Sequence, residues 1–201
     1  MSPNSTLINL KKKLLLLAIL TSAAFTTYAQ NEDPSPKLGV GFSIGAAVGS
    51  NSAYYPVASG VHFKFEYPVN STPLSITFSA GYTFYVSSNG YNYSTDGYGD
   101  SYSNGSLLSF VPVTVGAKYY VANKLYLEGD VGASFNLNSS DENGKPISGV
   151  SPIVAPYIGY TIPFGATRAS VDLSLGYEAS PQTGGGYNQA LFKATFNFGL
   201  R

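Results

Sequence analysis

Cysteine and tryptophan are absent from this chain, methionine and histidine occur once each, and charged side chains make up only 11% of its 201 residues. Each scarcity excludes something. Without cysteine there is no disulfide framework, no thiolate zinc site and no lipid-modified cysteine. The lone histidine, His62, is the one residue that a Ser-His-Asp type hydrolase would have to use. Soluble domains carry about 25% charged residues, so an ordinary Lys- and Glu-rich surface cannot be assembled from this composition. Basic and acidic residues balance at 11 each. No basic excess is left to neutralise phosphates, which excludes nucleic acid as a partner. What the chain has in quantity is Gly (22), Tyr (17), Phe (12) and Pro (12).

The first 29 residues read as a secretory signal peptide. Lys11, Lys12 and Lys13 form its positive end, Leu14 to Phe25 its apolar centre, and Ala29-Gln30 the expected cleavage junction. Twelve apolar helical residues reach only about 18 Å, short of the roughly 30 Å hydrocarbon core that a transmembrane anchor must cross. With those three lysines gone, eight basic residues face eleven acidic ones and the mature charge is −3. Residues 30–37, with Pro34 and Pro36, read as a short periplasmic leader, and residues 38–201 as one domain.

In that domain apolar residues recur with period two, not with helical period. The first strand sets Leu38, Val40, Phe42, Ile44, Ala46 and Val48 against Gly, Ser and Ala. The same alternation predicts strands over 57–67, 74–86, 107–120, 125–137, 153–162, 169–178 and 190–200. Pro112 inside the fourth strand cannot donate to a ladder, and a bulge is expected there. Most of these strands run 10 to 13 residues, a length that suits a transmembrane strand. Connections alternate between short (68–73, 121–124, 163–168) and mostly longer (50–56, 87–106, 138–151, 180–189), as in outer-membrane barrels.

Alternation alone does not say which face is inside. A lipocalin-like soluble barrel or a β-sandwich would bury the apolar face. Two observations favour lipid on that face. The opposite face is mostly Gly, Ser and Thr, too poor in charge for a water-exposed surface. The bore of an eight-stranded barrel is also just wide enough for small side chains to fill, and the many Leu, Val, Phe and Tyr residues would crowd it. Closure follows because a sheet in lipid cannot leave an edge unpaired. The expected fold is therefore all-β: an eight-stranded antiparallel up-and-down transmembrane β-barrel.

The chain resembles the small outer-membrane β-barrel proteins of the PorT-like class of Bacteroidota. The resemblance rests on the Ala29-Gln30 junction, the Gly-rich Leu38-Gly39-Val40-Gly41-Phe42, the segment Val111 to Tyr120 and the closing Phe196-Asn197-Phe198-Gly199-Leu200-Arg201. It implies a cell outer-membrane location, with outer-membrane lipid, lipopolysaccharide and the outer-membrane assembly machinery as partners. Many such barrels end on an aromatic residue that the assembly machinery reads, and this chain ends on Arg201.

The alternation turns Lys64, Glu66, Lys118, Glu128, Asp130, Asp172, Glu178 and Lys193 inward, with His62 nearby. Buried ions need partners, so these residues are expected to form a charge-neutralising plug rather than a proton relay, a gate or a catalytic group. Across the short 121–124 turn, Lys118 and Glu128 are expected cross-strand neighbours, with Lys118 within about 4 Å of Glu128 or Asp130. The longest connection carries Tyr91, Tyr93, Tyr98 and Tyr102 among Ser, Gly and Asn, a composition that binding loops use. It also suits a plain solvated loop. Aromatic belts are expected from Tyr67, Tyr119, Tyr126 and Phe198 near the short turns, and from Tyr54, Tyr55, Phe84, Phe135 and Tyr177 near the loops. No catalytic site, metal site or cofactor is implied. The role expected is structural or surface-binding. The alternative is binding or passage of a small hydrophobic molecule, and a lipid A-modifying enzyme ranks third.

Overall fold

A computed structural model describes residues 35–70, 72–88, 107–138, 149–165, 167–181 and 186–200. Its strands are β1 (Lys37–Val48), β2 (Val57–Pro68), β3 (Leu74–Val86), β4 (Leu107–Tyr120), β5 (Leu125–Asn136), β6 (Val150–Pro163), β7 (Ala169–Glu178) and β8 (Asn188–Gly199). Each pairs antiparallel with the next, and β8 pairs with β1, so the sheet closes with no edge strand. The residues 1–29 assigned to the signal peptide lie outside the described residues, as does most of the leader.

The register fixes the barrel's geometry. The hydrogen-bonded row through Lys37, Glu66, Thr77, Gly116, Asp130 and Ala155 continues through Glu178 and Gln189 and returns to β1 at Ala47. The sheet is thus staggered by ten residues, from Lys37 to Ala47, over one circuit. Such a stagger tilts strands by about 40°, so that a 12-residue strand rises about 30 Å, close to a bilayer's hydrocarbon core.

The period-two pattern sorts the side chains as expected. Outward apolar residues are open, with Phe63 63% and Leu175 62% exposed, while Lys118 in the bore is 0% exposed. The molecule is therefore inverted relative to a soluble domain: its interior is polar and its perimeter apolar.

Several local expectations change. β4 passes Pro112 without a bulge. The β3–β4 ladder lapses between Ala80↔Val113 and Thr83↔Phe110, then resumes in the same register. The missing N–H removes a bond to β3, while pairing to β5 runs on through Pro112↔Ser134. Pro156 acts alike in β6: the β6–β7 ladder stops at Tyr157↔Gly176, and the bridge Val154↔Ala179 beyond it keeps register. β6 also begins at Val150, three residues before the alternation became readable at Ile153. Two members of the expected belts face inward instead. Tyr55 is 4% exposed and Tyr126 is 1% exposed. Tyr126 shares strand parity with Glu128, which puts it in the bore. There its ring lies against Gly159 of the next strand, where a Cβ would strike the phenol. Tyr157 lies against Gly176 in the same way.

Candidate functional site: the charged bore

Strand parity aims ionisable side chains of six strands at the barrel axis, among them Lys37 at the start of β1. Lys64 of β2 meets Glu128 of β5 at 2.6 Å. Lys118 of β4 donates to Glu66 of β2 at 2.9 Å and to Asp172 of β7 at 2.7 Å. Its ammonium also lies 4.3 Å from the Tyr126 ring centre and 4.8 Å from that of Tyr120. The second oxygen of Asp172 accepts the Thr161 hydroxyl at 2.6 Å. All five charged groups are nearly inaccessible.

Lys118 thus points into the bore as expected, and it is the direct cross-strand neighbour of Glu128. Its ion pairs, however, go to Glu66 and Asp172, not to Glu128 or Asp130. Neighbouring side chains on a closed sheet project side by side toward the axis. A lysine long enough to cross a narrow bore meets acids on the far wall. Glu128, left by its neighbour, takes Lys64.

Nearer the middle of the barrel, Lys193 of β8 lies 3.3 Å from Glu178 of β7 and donates to the Tyr157 hydroxyl at 2.8 Å. Tyr157 donates to one oxygen of Glu178 at 2.6 Å, and Gln189 donates to the other at 2.6 Å. Asp130 receives the Thr77 hydroxyl at 3.3 Å. Among the described residues, no lysine or arginine forms an ion pair with it. Gly116 lies between the two, and a Cβ there would collide with both. His62 Nε2 is 2.8 Å from the Thr195 hydroxyl. All nine inward residues singled out from the sequence line the bore. Tyr91, Tyr93, Tyr98 and Tyr102 lie outside the described residues.

A second closure stands at the loop end and was missed in the sequence. Tyr55, Tyr85, Leu108, Phe110 and Tyr187 pack together inside the barrel. Ring centres are 5.0 Å apart for Phe110 and Tyr187 and 5.5 Å apart for Tyr85 and Tyr187. The Tyr85 hydroxyl donates to the Tyr187 carbonyl at 3.3 Å. Parity exposes the signal for Tyr85, Leu108 and Phe110, since each alternates with an outward neighbour. Tyr187 sits in a connection, where parity says nothing. Beneath this cluster, a cavity of about 10 Å³ touches Thr83, Pro112, Ile153 and Gln189, room for about one water.

The geometry braces and blocks the bore. Ion pairs join β2 to β5 and β4 to both β2 and β7, strands that are not neighbours. Buried pairs recover their desolvation cost only when well hydrogen-bonded; both oxygens of Asp172 are engaged, whereas Glu66 Oε1 is buried with no hydrogen-bond partner among the described residues.

No family model and no curated protein matches the chain. Solved structures do. The crystal structure of Neisserial surface protein A is similar with a TM-score of 0.52 at 12% identity, over 82% of this chain and 97% of that one. The attachment invasion locus protein Ail of Yersinia pestis matches at 0.49 and 15% identity, over 83% and 99%. The outer membrane protein AlkL in lipid bilayers matches at 0.40 and 14%, over 87% and 92%. At these identities the likeness to Neisserial surface protein A speaks for the fold: a small closed barrel of the outer-membrane kind.

Proposed function

We propose that this chain is an integral outer-membrane protein of the small PorT-like class, exported by residues 1–29 and acting without catalysis. In this reading the barrel is an anchor, and the loops, with Tyr91, Tyr93, Tyr98 and Tyr102, bind a surface partner. Lipid and lipopolysaccharide surround the barrel, and the assembly machinery inserts it, with both termini and the short turns on the periplasmic side. The observation that carries the reading is the inversion of the molecule: an apolar perimeter around a bore filled by ion pairs at one end and aromatic rings at the other. A bore so filled favours anchoring over passage, because a solute would have to part both layers. His62, held in the bore against Thr195, is out of reach of a lipid substrate.

The test has two arms. Fractionation with heat-modifiable gel migration is expected to place the folded protein in the outer membrane; recovery in the periplasmic soluble fraction refutes the scheme. Cells carrying a chain with Tyr91, Tyr93, Tyr98 and Tyr102 all changed to Ser are expected to lose surface adherence while the barrel still inserts. Unchanged adherence removes the loop-binding role.

A further inference from the structure

Rings close the bore at its loop end and ion pairs close it toward the short turns, but its wall has a weak seam between them. By register Pro112 of β4 stands opposite Gly81 of β3, and proline has no N–H to give it. Gly81 has no side chain to fill the break. The ladder is interrupted for two pairs before it resumes at Thr83↔Phe110, and in lipid no water replaces a lost backbone bond. On the lipid side the hydroxyls of Tyr82 and Ser109 lie 2.7 Å apart. Tyr82, 41% exposed, stands within the break, and Ser109 stands on β4 just past it. This pair clips the two strands together through side chains where the backbone does not.

The small cavity beneath the aromatic cluster meets the same seam from inside. Thr83 and Pro112 line it, beside Tyr85, Phe110 and Ile153. Its acid is already satisfied: Glu178 accepts from Tyr157 through one oxygen and from Gln189 through the other. Aromatic rings and a proline therefore receive a guest, which suits a small apolar molecule, above all one with a flat ring. At about 10 Å³ the cavity admits such a guest only when a ring moves aside. The other proline seam is built differently. Pro156 turns its ring to the lipid, the bridge Val154↔Ala179 closes the ladder beyond it, and the Tyr157 ring covers Gly176 from within.

We propose that the β3–β4 seam at Gly81 and Pro112 is a lateral port through which small apolar molecules pass from the surrounding lipid into the bore cavity. Entry from the side parts neither axial closure. The port rests on the lipid-facing perimeter of the reading above and needs nothing from the loops.

The chain has no cysteine, so single thiols report cleanly. Thr83→Cys and Ser134→Cys each place one on the cavity wall. Ser174→Cys places one in the bore on β7, away from the cavity. Each full mature chain is refolded into phosphatidylcholine vesicles and treated with N-phenylmaleimide, which dissolves in lipid, or with a charged maleimide that does not. Both cavity thiols are expected to react with N-phenylmaleimide faster than the Ser174→Cys thiol, and to resist the charged reagent. Adding Tyr82→Phe or Ser109→Ala should raise their rate about threefold or more, the effect of losing one hydrogen bond across the seam. No reaction at the cavity thiols, equal reaction at the Ser174→Cys thiol, equal reaction with the charged reagent, or a rate unmoved by both clip variants overturns the proposal. Heat-modifiable migration shows that each barrel has formed, so any of these results from a folded, inserted barrel removes the port and leaves the anchor standing.

Discussion

Lys118 and Asp172 stand on strands three places apart in the barrel, yet their charged atoms are 2.7 Å from each other. The lysine spans the bore and is held at its tip by two acids and flanked by two tyrosine rings. Lys118→Met removes the cation and strands Glu66 and Asp172 in a buried site. Breaking such a pair is expected to cost about 3–5 kcal/mol, read as a lower urea midpoint for unfolding from lipid vesicles. The triple change Lys118→Met, Glu66→Gln, Asp172→Asn should recover a large part of that loss. A single variant as stable as the parent would mean that the brace contributes nothing.

Two glycines give opposite expectations. A Cβ at Gly159 would enter the Tyr126 ring, whereas at Gly129, on the outer face of β5, nothing lies within 4 Å. Gly159→Ala is expected to destabilise by about 1–3 kcal/mol, the usual cost of overpacking. Gly129→Ala should be neutral or stabilise by up to about 1 kcal/mol, because alanine loses less backbone entropy in a strand. Equal effects in the same unfolding assay would place Tyr126 outside the bore.

Two independent layers close the barrel, so opening one is not enough. Tyr85→Ala with Tyr187→Ala removes the two central rings of the loop-end cluster but leaves the Lys64 and Lys118 braces. In planar bilayers the parent and this double variant are both expected to show no channel steps. Steps from the double variant alone would make the aromatic layer the sole barrier.

Accessibility of the lysines offers a direct check on strand parity. Brief acylation of the refolded protein with an amine reagent, followed by peptide mass mapping, should modify Lys124 on its turn and leave Lys64 and Lys118 untouched. Ready modification of Lys118 would mean that β4 is inverted.

Much of this architecture was legible along the chain because a β-strand has a strict two-residue period. Every residue from Leu38 to Val48 has its face assigned by parity alone, and all nine inward candidates fell on the bore side. Tyr126 shows parity outranking composition: an aromatic near the short turns suggests a lipid-facing belt, yet this one alternates with the outward Leu125 and Leu127 and so faces the bore. Proline misled differently. Pro112 removes a single hydrogen bond on the β3 side, and a strand paired on its other side to β5 has no need to bulge.

The strand count, the apolar perimeter and the set of charges turned inward follow from local periodicity and from the shortage of charge, and so are written along the chain. Which lysine meets which acid is settled in three dimensions. That choice depends on the ten-residue stagger and the curvature of the closed sheet, which bring Asp172 and Glu66 to the tip of Lys118 while its nearest neighbour on the wall, Glu128, pairs elsewhere. The loop-end cluster was likewise a tertiary outcome, since Tyr55 and Tyr187 lie in connections whose path no periodicity specifies.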